Sequence, residues 1–202
     1  MAILNTVEEN KRLVERYPFL LPRNRWTDLT EEDYDYSWTE LDAMPDGWRK
    51  AFGEMMCEEI RCALLAVSHE ALDNYRIMQI KEKYSSLRWY DNGYPIGSGI
   101  DDIIGKYETL SKHICMRCGK PDVPITGDWW IFPFCKECYL IDERNTAEEW
   151  EEYAAREDNL MMPDIYKYTK FTKEGESEVV KINIKDTADA IRRRYADRIR
   201  KQ

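Results

Sequence analysis

CMRCGKPDVPITGDWWIFPFCKEC, residues 115–138, is the stretch that decides how the middle of this chain folds. It opens and closes on a Cys-x-x-Cys pair, Cys115/Cys118 and Cys135/Cys138, with 16 residues between the pairs. That spacing is the one expected of a four-thiolate zinc site. Each pair folds into a tight knuckle that points two sulfurs at one ion, and Gly119-Lys120-Pro121 supplies turn residues for the first knuckle. Residues 123–134 are the right length for a short hairpin that brings the knuckles together. Two rival readings are a pair of redox dithiols and ordinary buried cysteines. With protein sulfur in all four positions no place is left for water or substrate, so the expected Zn2+, one per chain, is structural. It says how a piece of the protein folds, not what the protein does.

Working outward, the helix before the first knuckle is predicted from Ser98, with Asp101 completing a capping box and Ile100, Ile103, Ile104, Tyr107, Leu110 and Ile114 as its buried face. It runs directly into Cys115, so the ribbon is expected to be fused to the core. Upstream, residues 75–91 alternate as a hairpin around Ser85-Ser86, with Lys81-Glu82-Lys83 on its solvated face. A long helix is predicted from Pro45 to about Val67, with Trp48, Phe52, Met55, Met56, Ile60, Ala63, Leu64 and Val67 as a core stripe. The first helix spans residues 6–17, with Thr6 and Glu9 as a capping box. Between them, residues 21–44 have no sustained period and read as a long ordered loop, anchored by Trp26, Tyr34, Tyr36 and Trp38.

Downstream, Thr146 and Glu149 form another capping box, opening a short acidic helix with Trp150 and Tyr153 on one side. Residues 165–172 and 177–184 bracket Lys173-Glu174-Gly175-Glu176 as a second hairpin. A basic helix from Thr187 carries Ile191, Tyr195 and Ile199 at a docking spacing. The order of helices and hairpins is that of an α+β protein. Three parts are expected: an α+β core over residues 1–114, the zinc ribbon over 115–141, and a C-terminal extension over 142–202.

Charge is uneven. The 202 residues carry 39 acids against 30 bases, a net charge of −9, which weighs against binding nucleic acid through its phosphates. Residues 28–46 hold eight acids and no base, residues 142–158 eight acids against Arg144 and Arg156, and residues 181–202 eight bases against three acids. An acidic body with a basic tail is electrostatically polarised. No apolar run is long enough to span a bilayer. No basic segment followed by an apolar stretch opens the chain, so no secretory signal is expected. Paired reduced thiols then point to a cytoplasmic location. Cys57 and Cys62 lie five apart on a helix, on different faces, and read as small packing residues.

Catalytic patterns are sparse. His69 and His113 are the two histidines. His113, at a helix end two residues before Cys115, is placed to favour that helix terminus or a nearby thiolate, with replacement of a cysteine ligand as the lesser alternative. The Gly-rich stretch 93–99 lacks the lysine of a phosphate loop. The acid-aromatic run Asp33-Tyr34-Asp35-Tyr36-Ser37-Trp38-Thr39-Glu40 offers spaced negative charge and flat rings. It suits a Lys/Arg-lined groove built for nucleic acid, carboxylates standing for phosphates and rings for bases, and Asp33, Asp35, Glu40 and Asp42 are the candidate partner-binding residues. The rival reading is a solvated acidic loop tied down by its rings. The basic C-terminal helix is open to three: a nucleic-acid arm, a partner helix, or a docked terminal helix.

Three stretches carry a resemblance: YPFLLPRNRW at 17–26, LDAMPDGWR at 41–49 and IKEKYSSLRWY at 80–90, together with Cys115-Met116-Arg117-Cys118-Gly119-Lys120-Pro121. They resemble small zinc-ribbon proteins encoded by phages and prophages of Gram-positive bacteria, over residues 10 to 140; the tail after Asn145 is not covered. Within that family the chain looks like a zinc-binding type II-A anti-CRISPR, an inhibitor of Cas9. The resemblance implies a non-enzymatic metalloprotein of the host-cell cytoplasm that binds Cas9 stoichiometrically, with no requirement for a catalytic residue, and impedes loading of target DNA. Only the four cysteines carry over as functional residues. The alternative is a zinc-ribbon accessory protein that binds nucleic acid through its ribbon and basic tail; a third is an enzyme whose site is dispersed along the chain.

Overall fold

Thr6 caps the first helix as its pattern predicts: its hydroxyl accepts from the Glu9 amide, the Glu9 carboxylate accepts from the Thr6 amide, and α1 runs Val7–Arg16. The computed structural model describes residues 5–24, 26–156, 161–171 and 177–201. Pro18–Leu20 forms a 3-10 turn that buries Phe19 and Leu20. Residues 21–39 hold no helix or strand among those described, and a second 3-10 turn follows at Glu40–Ala43. Of the aromatics expected to anchor this segment, Tyr36 packs against the core, whereas Trp26 is 94% exposed.

The long helix starts after Pro45 but is not uniformly α. α2 (Asp46–Trp48) passes into a π-helical segment, Arg49–Gly53, and then α3 (Glu54–Val67). Trp48, Phe52, Met56, Ile60 and Leu64 are fully buried along it; Val67 is exposed. Ser68 accepts from the Ala71 amide and restarts the chain as α4 (His69–Asn74), an element the hydrophobic pattern does not show. β1 (Ile77–Lys83) and β2 (Ser86–Asp91) pair antiparallel, with Lys83 opposite Ser86. The turn is therefore Tyr84-Ser85, not Ser85-Ser86. Both residues take left-handed φ, 53° and 60°, as a two-residue hairpin turn of this hand requires.

α5 (Ile100–Ser111) buries Ile100, Tyr107 and Leu110. Its predicted capping box is absent. Gly99 occupies the N-cap at φ 75° with no side-chain cap, because the chain enters this helix through a left-handed turn that Ser98 does not make. The Phe52 and Tyr107 rings stack at 5.2 Å between α5 and the long helix, and Trp89 on β2 donates to the Tyr75 hydroxyl at 2.9 Å.

β3 (Ile125–Thr126), β4 (Phe132–Pro133) and α6 (Lys136–Tyr139) carry the second half of the cysteine stretch. α7 (Ala147–Ala154) has its capping box, Thr146 with Glu149. β5 (Ile165–Phe171) and β6 (Ser177–Asn183) pair in register from Ile165/Asn183 to Phe171/Ser177. The intervening residues 172–176, expected as a turn, lie outside the described residues. α8 (Lys185–Arg200) begins two residues before Thr187. Each sheet is a separate two-stranded hairpin, so the protein is α+β.

The main core includes residues from both ends of the chain. Ile184, Ala188 and Ile191 are buried in the same cluster as Trp48, Ile60 and Tyr107. Tyr195 is half-buried and Ile199 is 49% exposed, so the docking face of α8 sits nearer its start than the Ile191/Tyr195/Ile199 spacing implies.

Candidate metal centre

Cys115 follows the end of α5, where the chain reverses on itself. Ile114 bridges Pro121, the Cys115 amide donates to the Lys120 carbonyl at 2.8 Å, and the Gly119 amide donates back to the Cys115 carbonyl at 2.8 Å. This is the knuckle expected of Cys-x-x-Cys. Gly119 closes it at φ 79°, and a Cβ there would stand 2.6 Å from the Gly47 carbonyl oxygen. Gly47 is held as closely: a Cβ would meet the Cys115 carbonyl oxygen at 2.1 Å, while its amide donates to the Met116 carbonyl at 2.8 Å. Two glycines thus let the first knuckle lie directly on the start of the long helix. Trp48, next in sequence, donates its indole N–H to the Ile114 carbonyl at 2.7 Å.

The second pair arrives on the return of the β3–β4 hairpin. The Met116 amide donates to the Pro133 carbonyl at 3.0 Å, tying the first knuckle to β4. Cys135 is the N-cap residue of α6, and Cys138 lies within that single turn. Gly127, at φ 94°, allows the hairpin tip to close against the Trp130 carbonyl. Trp150 on α7 donates to the Phe134 carbonyl at 3.0 Å, and Arg117 donates to the Cys138 carbonyl at 3.3 Å.

The result brings all four sulfurs within 4.8 Å of one another, with Cys115, Cys135 and Cys138 buried and Cys118 partly so. Cys118 and Cys135 sulfurs stand 3.6 Å apart, far from a disulfide bond. Four sulfurs at zinc–thiolate bond length from one ion would be about 3.8 Å apart at a tetrahedron's edges. Val123 and Phe134 complete a small apolar cluster around them. Sulfurs so close cannot titrate independently. As a thiolate, Cys115 accepts from the Cys118 and Cys135 thiols and is held well below the usual thiol range, while Cys135, as its donor, is pushed up. Burial pushes the Cys138 thiol up as well. A buried cation removes that conflict by neutralising several thiolates together. The donor set fits a soft or borderline metal ion, and the four cysteines could hold one.

α8 fastens this module from the other side. Arg198 donates to the Cys118 carbonyl at 2.5 Å, and Arg192 makes a two-pronged pair with Asp122 at 2.7 and 2.8 Å. Neither arginine stood out from the basic run of the helix, since a run of charges does not say which of its members faces protein. Cys57 and Cys62 part company. Cys57 is fully buried, and Cys62 is exposed, so the packing role expected of both holds only for the first.

The four acidic residues also differ in setting. Asp33 and Asp35 are exposed, and Asp35 accepts from the Ser37 amide at 2.9 Å. Glu40 is partly buried. Asp42 serves the fold: its carboxylate accepts from the Thr39 amide and hydroxyl at 2.7 and 2.9 Å and pairs with Arg49. The side chains of that ion pair are only 12% and 6% exposed. Asn10 on α1 donates to the Tyr36 carbonyl at 2.9 Å, and Tyr34 and Tyr36 pack ring to ring at 4.7 Å. The acidic segment is thereby tied to α1 at Tyr36 and to the long helix at Asp42. At the tip of the β3–β4 hairpin, Trp129 and Trp130 are 94% and 83% exposed; Gly-Asp-Trp-Trp at 127–130 was the sequence signal for this feature.

No family model, curated protein or solved structure matches the chain. No helix among the described residues is long and apolar enough to cross a membrane.

Proposed function

We propose that this chain is a zinc-stapled binding protein that acts by stoichiometric occupation of a basic protein surface, with a type II Cas9 as its partner. The observation that carries the reading is the acidic segment around Asp33 and Asp35, exposed and tied down on its C-terminal side by Asn10–Tyr36 and Asp42–Arg49. A pre-shaped acidic surface loses little conformational entropy on docking and is steered toward positive potential. Cas9 holds its guide–target heteroduplex in a positively charged channel read through the backbone. An acidic protein docked beside that channel, on the recognition lobe, opposes DNA entry by charge and bulk and needs no catalytic residue. The resemblance to phage zinc-ribbon proteins names the partner.

In this reading the four cysteines hold one structural Zn2+, a closed thiolate set being its usual environment, and the protein works in the host cytoplasm where thiols stay reduced. Asp33, Asp35 and Glu40 are the contacts, while Asp42 shapes the segment. The exposed Trp129–Trp130 pair offers an aromatic anchor of the kind that dominates interface energetics.

Binding kinetics to purified Cas9 test it. Asp33→Lys, Asp35→Lys and Glu40→Lys together should slow association, more at low salt than at high salt, with little change in dissociation. Unchanged association in the triple variant would refute the contact surface. Salt-sensitive binding to random duplex DNA, with no binding to Cas9, would favour a nucleic-acid accessory protein instead.

A further inference from the structure

A cavity of about 410 Å³ lies between α1, the π-helical segment and α8, a volume within the range of small-molecule sites. Although the chain carries a net charge of −9, five cations line this one hollow: Arg12, Arg16, Arg49, Lys50 and Arg194. Two are committed, Arg16 to Glu58 at 3.0 Å and Arg49 to Asp42. The other three, Arg12, Lys50 and Arg194, make no ion pair among the described residues and come from three elements distant in sequence. Five cations facing two carboxylates, Glu9 and Glu54, leave this hollow with an excess of positive charge, and its self-repulsion is one that a bound anion would relieve. The π-helical segment presents Lys50 here, and such segments recur at functional sites.

We infer that this cavity binds a small phosphate-bearing anion, held by Arg12, Lys50 and Arg194. Arginine forks and a lysine ammonium are the groups that recognise phosphate oxygens, and three of them match a multiply charged group better than a single carboxylate. Two carboxylates share the cavity. Glu9 is turned to the Thr6 amide as a helix cap, and Glu54 is exposed at the edge. They select for a ligand whose charge outweighs theirs, so oligophosphates should exceed a single phosphate. The site is independent of the partner proposed above.

Calorimetric titration of the full chain with inorganic pyrophosphate tests the inference, with adenosine triphosphate and citrate in parallel. Saturable 1:1 binding of pyrophosphate is expected, weakened roughly tenfold or more in Lys50→Ala and in Arg194→Ala. Both side chains are exposed, so the variants should melt with the parent when no ligand is added. Equal affinity for pyrophosphate and the nucleotide assigns the site to free oligophosphate; a nucleotide advantage of roughly tenfold assigns it to a nucleotide's phosphate tail. Absence of saturable heat with both phosphates, citrate binding as tightly as pyrophosphate, or undiminished affinity in the two variants would overturn it.

Discussion

Asp42 and Arg49 show how one residue can serve the fold inside a segment that reads as surface. Their pair is nearly buried, and Asp42 also caps the 3-10 turn through Thr39. Removing one partner of a buried pair strands the other charge, so Asp42→Asn should cost about 3–5 kcal/mol in urea unfolding. Asp33→Lys, at an exposed position, should stay within about 0.5 kcal/mol of the parent. The acid count of residues 28–46 could not separate these two aspartates. The clue was the spacing of Thr39 and Asp42, a capping pattern hidden in a segment without periodicity. Gly47 was equally silent, because its role is a backbone approach to Cys115 some seventy positions away. The four cysteines, by contrast, were legible because a local spacing alone sets their geometry.

At the scale of elements, reciprocal side-chain caps were readable where the entry backbone is extended, as at Thr6/Glu9 and Thr146/Glu149. The Ser98/Asp101 pattern failed because Gly99 takes the cap with left-handed φ. The π-helical segment left no trace in the hydrophobic period, since Trp48, Phe52 and Met56 keep a four-residue stripe across it. For α8, the apolar spacing pointed to docking but not to what it docks on. The Arg192–Asp122 pair supplies part of that answer and makes it pH-sensitive. Burial alone would raise the Asp122 pKa, but hydrogen bonds from Arg192 and the Met162 amide outweigh it and hold the carboxyl below its usual range. A carboxylate depressed in the folded state stabilises above its unfolded pKa, about 3.9, and that contribution is lost as pH falls through the folded value. Amide exchange in α8 should therefore accelerate below about pH 4 before it does in α3, and Asp122→Asn should bring the same acceleration to neutral pH.

Over the whole molecule, a small cysteine module with little apolar core of its own joins the main body through Gly47, Trp48 and α8. A metal held there would stabilise more than its own loops. Elemental analysis should find one zinc per chain, and Cys118→Ser should lower both metal content and melting temperature. What the assembled surface does is tested most directly by a DNA-cleavage assay. Guide-loaded type II Cas9 is titrated with the purified protein before target DNA is added. Cleavage should fall in proportion to added protein and end near molar equivalence, with no dependence on incubation time after binding. Undiminished cleavage at several-fold excess across several type II orthologues, or time-dependent loss at substoichiometric amounts, would contradict the account.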